Sequence, residues 1–175
     1  MLAVIVCGFA FTAQAQELTE EEFVQLSLKY RTAIHYDSLL QQPIDSLVKL
    51  YRDAQRVDEL IGLYRSHVEQ YPDDGGAKAA LIRILRKVDR PGADELIATA
   101  APLHHEFAPL QYLLYLFLSE RGDERAAETL SRAIDLEVNP AKRRDWTEEL
   151  LQIAESDSDS ELARAQLEKL LVEDG

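Results

Sequence analysis

Adjacent histidines followed by a glutamate, His104-His105-Glu106, are the residues of this 175-residue chain best suited by type to hold a metal. Ligands sharing a helix face need a spacing of three or four, so immediate neighbours diverge, and no HExxH pattern surrounds them. They follow Pro102 in an inter-helix segment, which makes a solvated loop or a polar contact the expectation. A second candidate is the acidic run Asp157-Ser158-Asp159-Ser160-Glu161, with Glu168 at the twelfth place of a calcium-loop register. Such a loop needs glycine at its sixth place for the turn, and Leu162 stands there, so the run reads as the cap of a last helix. No GxGxxG, GxxxxGKS/T or GxSxG occurs, which leaves nucleotide cradles and a nucleophile elbow without support. Carboxylates fill every polar stretch, and choosing two as acid and base would be arbitrary without a pocket to converge on. The chain is therefore expected to have no catalytic residues, no cofactor and no metal.

The charge balance narrows the partners. With 32 acidic against 19 basic residues the formal net charge is -13, and such a field repels polyanions. Nucleic acid is excluded as an expected partner.

The first residues read as a targeting segment. Leu2 to Phe11 is apolar, and Ala13-Gln14-Ala15 is the small-x-small pattern of a secretory cleavage site, leaving Gln16 or Glu17 as the new terminus. Residues 1–15 are expected to be a cleavable signal peptide and the protein to be exported, periplasmic or extracellular. The alternative is an uncleaved segment on a cytoplasmic protein. The run is about half of the roughly 20 apolar residues a span needs, so membrane association is expected only through an uncleaved N-terminus. The sole cysteine, Cys7, lies in this segment, so the mature chain would have no disulfide and no thiolate site.

The elements that would position any functional surface are helices. Thr19 with Glu22 three residues on is a capping box, and Leu18 with Phe23 is placed as a hydrophobic staple. The stripe Phe23, Leu26, Tyr30 and Ala33 recurs at helical spacing and must be buried on something. Breaker clusters follow at Tyr71-Pro72-Asp73-Asp74-Gly75-Gly76, Asp89-Arg90-Pro91-Gly92, Arg121-Gly122-Asp123 and Asn139-Pro140. Between them the pattern predicts pairs over 43–54 and 57–71, 76–88 and 92–101, 109–121 and 123–137, and 141–155 and 160–173. With the leading helix this makes about nine. Helix starts at Pro43, Ala77, Gln111 and Asp145, and turns at Ala54, Val88, Gly122 and Ser156, step by 34 residues.

That period, together with particular residues, resembles the tetratricopeptide repeat. Leu60-Ile61-Gly62-Leu63-Tyr64 through Tyr71-Pro72 resembles its second-helix signature. Gly122-Asp123, Ala126, Ala133 and Pro140 fit the third repeat, and Trp146 falls near the family's tryptophan in the fourth. The departures are Leu60 and His67 where small residues usually sit, Asp94 likewise in the second repeat, and Pro102, which is expected to interrupt that repeat's second helix. The resemblance covers about residues 18–174: a half repeat at 18–38, then repeats at about 41–74, 75–108, 109–142 and 143–174. It implies an all-α, right-handed α-solenoid whose first helices line a concave groove.

Family groove positions fall on Lys49 and Arg52, on Arg83, Arg86 and Lys87, and on Leu110, Leu113 and Phe117. A basic stripe beside an apolar one, in a chain so acidic, suits a protein segment with acidic and apolar side chains. The alternative for the cations is that they balance helix C-termini and neighbouring acids. The only asparagine, Asn139, sits in a turn, which argues against a clamp for a chaperone's terminal carboxylate. The last helix carries Leu162, Leu167, Leu170, Leu171 and Val172, so a partner, a second copy or continuation of the chain is expected to cover it. The expected function is a non-enzymatic, exported scaffold for a protein partner. Its rivals are the helical accessory region of a longer enzyme and an envelope assembly factor.

Overall fold

The computed structural model describes residues 18–156 together with Ala165 and Glu168, and all of its regular elements there are helices. In chain order they are α1 (Glu20–Tyr36), α2 (Gln41–Asp53), α3 (Val57–Gln70), α4 (Gly75–Lys87), α5 (Ala93–Leu103), α6 (Ala108–Ser119), α7 (Ala126–Leu136) and α8 (Pro140–Ser156). The ninth expected helix, over 160–173, lies outside the described residues, as does the N-terminal segment.

Helix α1 starts where its cap dictates: Glu22 N–H donates to Thr19 Oγ1 at 3.2 Å and Thr19 N–H to Glu22 Oε2 at 2.9 Å. The helices then pair as α2/α3, α4/α5 and α6/α7. Each second helix packs on the first helix of the next pair, α1 on α2, α3 on α4, α5 on α6 and α7 on α8. First helices also pack on one another, α2 on α4 and α4 on α6. This staggered layering is an α-solenoid. Helix α4 lies at its centre, with Ala79, Ala80, Leu81, Ile82, Ile84 and Leu85 all buried. Removing a side chain such as Ile82 from water is worth about 1.5 to 3 kcal/mol.

The turns between paired helices close in one way. Arg56 N–H reaches Tyr51 O (2.8 Å), Arg90 N–H reaches Leu85 O (2.9 Å) and Asp123 N–H reaches Leu118 O (3.1 Å), the six-to-one bond that ends a helix through a left-handed residue. That residue is Gly122 (φ 63°) in the third turn, where glycine adopts the conformation freely. In the first two it is Gln55 (φ 57°) and Asp89 (φ 53°), which accept a steric cost for the same geometry.

The repeat is less regular than the turn residues suggest. First helices start at 41, 75, 108 and 140, so the steps are 34, 33 and 32 residues rather than a constant 34. Gly92 (φ 100°) caps the start of α5 at Ala93. The shifted register puts Ile97 in the core and leaves Asp94 on the surface in the first turn. Pro102 does not interrupt α5. It lies in the last turn, so the one backbone bond its missing N–H removes comes at the helix end, and the helix stops one residue later.

Candidate partner groove

The face built by α2, α4 and α6 holds the cationic positions anticipated from sequence, and nearly every one of them is bonded within the chain. Lys49 pairs with Asp53 one turn on, both well exposed. Arg52 Nη2 donates to Lys87 O at 3.3 Å. Lys87 Nζ meets Asp45 Oδ1 at 2.8 Å, and the Asp45 carboxyl is held below its ordinary pKa by that bond first and by Gln41 second. Arg86 forks onto Glu120 at 2.9 and 3.1 Å and reaches Asp94 at 3.5 Å. Arg83 is the most enclosed: it donates to Ser38 O (2.8 Å), Leu40 O (3.1 Å) and Gln41 Oε1 (2.6 Å), tying α4 to the turn before α2. Burial lowers its pKa, and the nearby Asp45 and Asp37 oppose that shift. Lys49 thus pairs within α2, while Arg52, Arg83, Arg86 and Lys87 answer acids and carbonyls of neighbouring repeats.

The apolar half of the expected groove needs correction. Leu110 is 0% exposed and Leu113 4%, so both belong to the core. Helix α6 is apolar on all sides, and Tyr112, Leu114, Leu116 and Phe117 pack against buried clusters as well. Phe117 is only part-buried, and the Arg121 guanidinium lies 3.7 Å over its ring. Leu39, in the turn that Arg83 holds, packs against both core clusters. The accessible residues of the predicted set are Lys49, Arg52, Lys87 and the edge of Phe117.

Sequence reasoning missed a polar cluster where α6 meets α8. Tyr112 stacks on Trp146 with ring centroids 4.4 Å apart and planes at 7°. The Tyr112 and Tyr115 hydroxyls both donate to the Glu149 carboxylate, at 3.1 and 2.8 Å. Burial, with that carboxylate second among the larger causes, pushes both phenols well above their usual range. The spacing from Tyr115 to Glu149 is one repeat, a signal visible only once repeats are aligned. Lys142 also pairs with Asp37 at 2.6 Å, joining the start of α8 to the first inter-repeat turn.

The histidines that suggested metal chemistry do something else. His104 is half-buried, and its Nε2 accepts from Lys78 Nζ at 2.7 Å while Lys78 also donates to Pro72 O. This is the polar contact expected of that segment. His105 is exposed. Among the described residues no three His, Cys, Asp or Glu side chains converge as a metal site, and no helix is long and apolar enough to cross a membrane.

Compared with known proteins, the chain matches no family model and no curated protein sequence. Two solved structures are similar in fold. One is the crystal structure of MamA, with a TM-score of 0.53 at 17% identity, covering 88% of this chain and 90% of that one. The other is that of TTC0263, a thermophilic TPR protein in Thermus thermophilus, with a TM-score of 0.50 at 16% identity, covering 86% and 82%. The fold is that of a tetratricopeptide-repeat solenoid. Such solenoids present extended surfaces built from stacked helices.

Proposed function

We propose that this protein is a non-enzymatic scaffold that binds a protein partner on the face formed by α2, α4 and α6. The fold carries this reading: stacked helical pairs, with side chains committed to inter-repeat contacts, offer a long surface for another chain. An acidic partner segment engages Lys49, Arg52 and Lys87, displacing Asp53 and Asp45, while its apolar residues meet Phe117. Arg83 and Arg86 shape the surface by fixing neighbouring repeats. The protein acts after export, with residues 1–15 removed as a signal peptide. N-terminal sequencing of protein recovered from its source checks this, and finding Met1 intact would refute it.

The binding test uses the full chain with photo-crosslinkers at Lys49, Arg52 and Phe117 and at exposed positions on the other side, Glu59 and Arg65. Crosslinks from the first set to one partner, lost when Lys49 and Arg52 are both reversed to Glu without change in melting temperature, are the expected result. Equal crosslinking from both sets would place the partner elsewhere.

A further inference from the structure

On the second-helix side of the solenoid a cleft of about 270 Å³ opens between α1 and α3, floored by the start of α4. It exists because α1 packs on α2 and α4 and does not pack on α3. Its interior is apolar, with Ile34, Tyr64 and Ala80 buried and Leu28 and Leu63 along the walls. Its mouth is cationic. Arg31 stands there half-buried, and among the described residues it has no carboxylate or hydrogen-bond partner. Arg65 and Arg144 are likewise without a partner among the described residues, but both are exposed, whereas the half-buried Arg56, Arg83 and Arg86 are all bonded. The Arg31 field reaches the Tyr64 hydroxyl, whose pKa burial nonetheless pushes up to about 12, so the phenol stays protonated and available as a donor.

His35 and His67 line the same opening. The lining's one carboxylate is Asp74, and both its oxygens are engaged: Ala77 N–H donates to Oδ1 at 2.8 Å, and His67 Nε2 lies 2.9 Å from Oδ2. A half-buried cation at the mouth of an apolar recess, with the local carboxylate already bonded, is complementary to an anion with an apolar tail. Its volume lies at the small end of the range for small-molecule pockets.

We propose that this cleft binds a small amphiphilic carboxylate, its acid group on Arg31 and its tail against Ile34, Leu63 and Ala80. This site is separate from the face proposed for the protein partner, and either can fail without the other. The probe is octanoate, titrated into the full chain by calorimetry and methyl NMR, with 1-octanol as the uncharged counterpart. The expected result is saturable one-to-one binding that perturbs the methyls of Leu28, Ile34, Leu63, Ala77 and Ala80. Arg31→Gln, a substitution on a helix surface, should weaken octanoate at least tenfold and leave 1-octanol unchanged. Leu28→Glu, at a half-exposed wall position, should weaken octanoate well beyond Leu28→Gln, because it adds a like charge at the mouth to the apolar contact that both variants lose. No saturation at millimolar octanoate, equal affinity in Arg31→Gln, or methyl shifts on another face would each overturn the proposal.

Discussion

Along the edge where first helices turn into second helices, arginine meets carboxylate. Arg56 bridges Glu20 and Glu59, Arg90 meets Asp58, and Arg86 and Arg121 share Asp94, with Glu120 beside them. At the other edge, where second helices lead into the next repeat, the Lys142–Asp37 pair is joined by bonds of another kind. There Arg83 and Lys78 hold backbone carbonyls, and Gln111, 4% exposed, donates to Ala101 O and His104 O. The apolar rim lies there too, with Tyr36, Tyr71, Leu103 and Val138 all more than half exposed. The difference follows from how the turns close. The first edge satisfies its helix ends through backbone bonds and leaves its charges in solvent, where an ion pair is worth about 0 to 1 kcal/mol. The second edge depends on enclosed side chains to satisfy carbonyls, so each of them matters more.

The strongest way to break this contrast is Arg83→Ala. It strands two turn carbonyls that a half-buried guanidinium now satisfies, and should cost about 2 to 3 kcal/mol in urea unfolding. A loss no larger than that of a surface pair would make the two edges equivalent. Next is Gly75→Ala at the same edge, where an added Cβ would fall 2.9 Å from Phe107 Cδ1 and 3.3 Å from Cγ. The ring must move, at about 1 to 3 kcal/mol, and an unchanged melting curve would show that this packing is loose.

A pH series sharpens the comparison further. Burial first, and Lys78 second, hold the His104 pKa below its ordinary 6.5. The unfolded chain takes up a proton near 6.5 that the folded ring resists, so this contribution is complete above that pH and is lost as pH falls through the lowered folded value. Urea midpoints of the native chain should therefore drop between pH 7 and 5 more steeply than those of His104→Asn. Parallel curves would remove His104 from the account. The smallest effect is expected at the arginine edge, where Arg86→Ala should cost about 0 to 1 kcal/mol, less still in high salt. A cost above 2 kcal/mol that survives 1 M salt would mean that this edge is no mere exposed ladder.

Much of the architecture follows from the sequence alone because the interactions that specify it are local. The Thr19–Glu22 capping box, the left-handed turn glycines and the helical spacing of apolar residues join positions only a few residues apart, and all are present in the folded chain. The candidate site was legible only in part. Lys49 and Arg52 fall on the surface as their spacing implies, but Leu110 and Leu113 do not. Helix α6 is apolar all round, so no periodicity marks which side meets the core. Tertiary structure decided that, along with the slide of α5 that exposes Asp94, the left-handed turns at Gln55 and Asp89, the pairing of Arg86 with Glu120 and of Tyr115 with Glu149, and the gap between α1 and α3. Apart from those two turns, which are local but fall on residues other than glycine, each depends on how one helical pair is stacked on the next, a relation between residues far apart in sequence that side-chain packing fixes and local spacing does not encode.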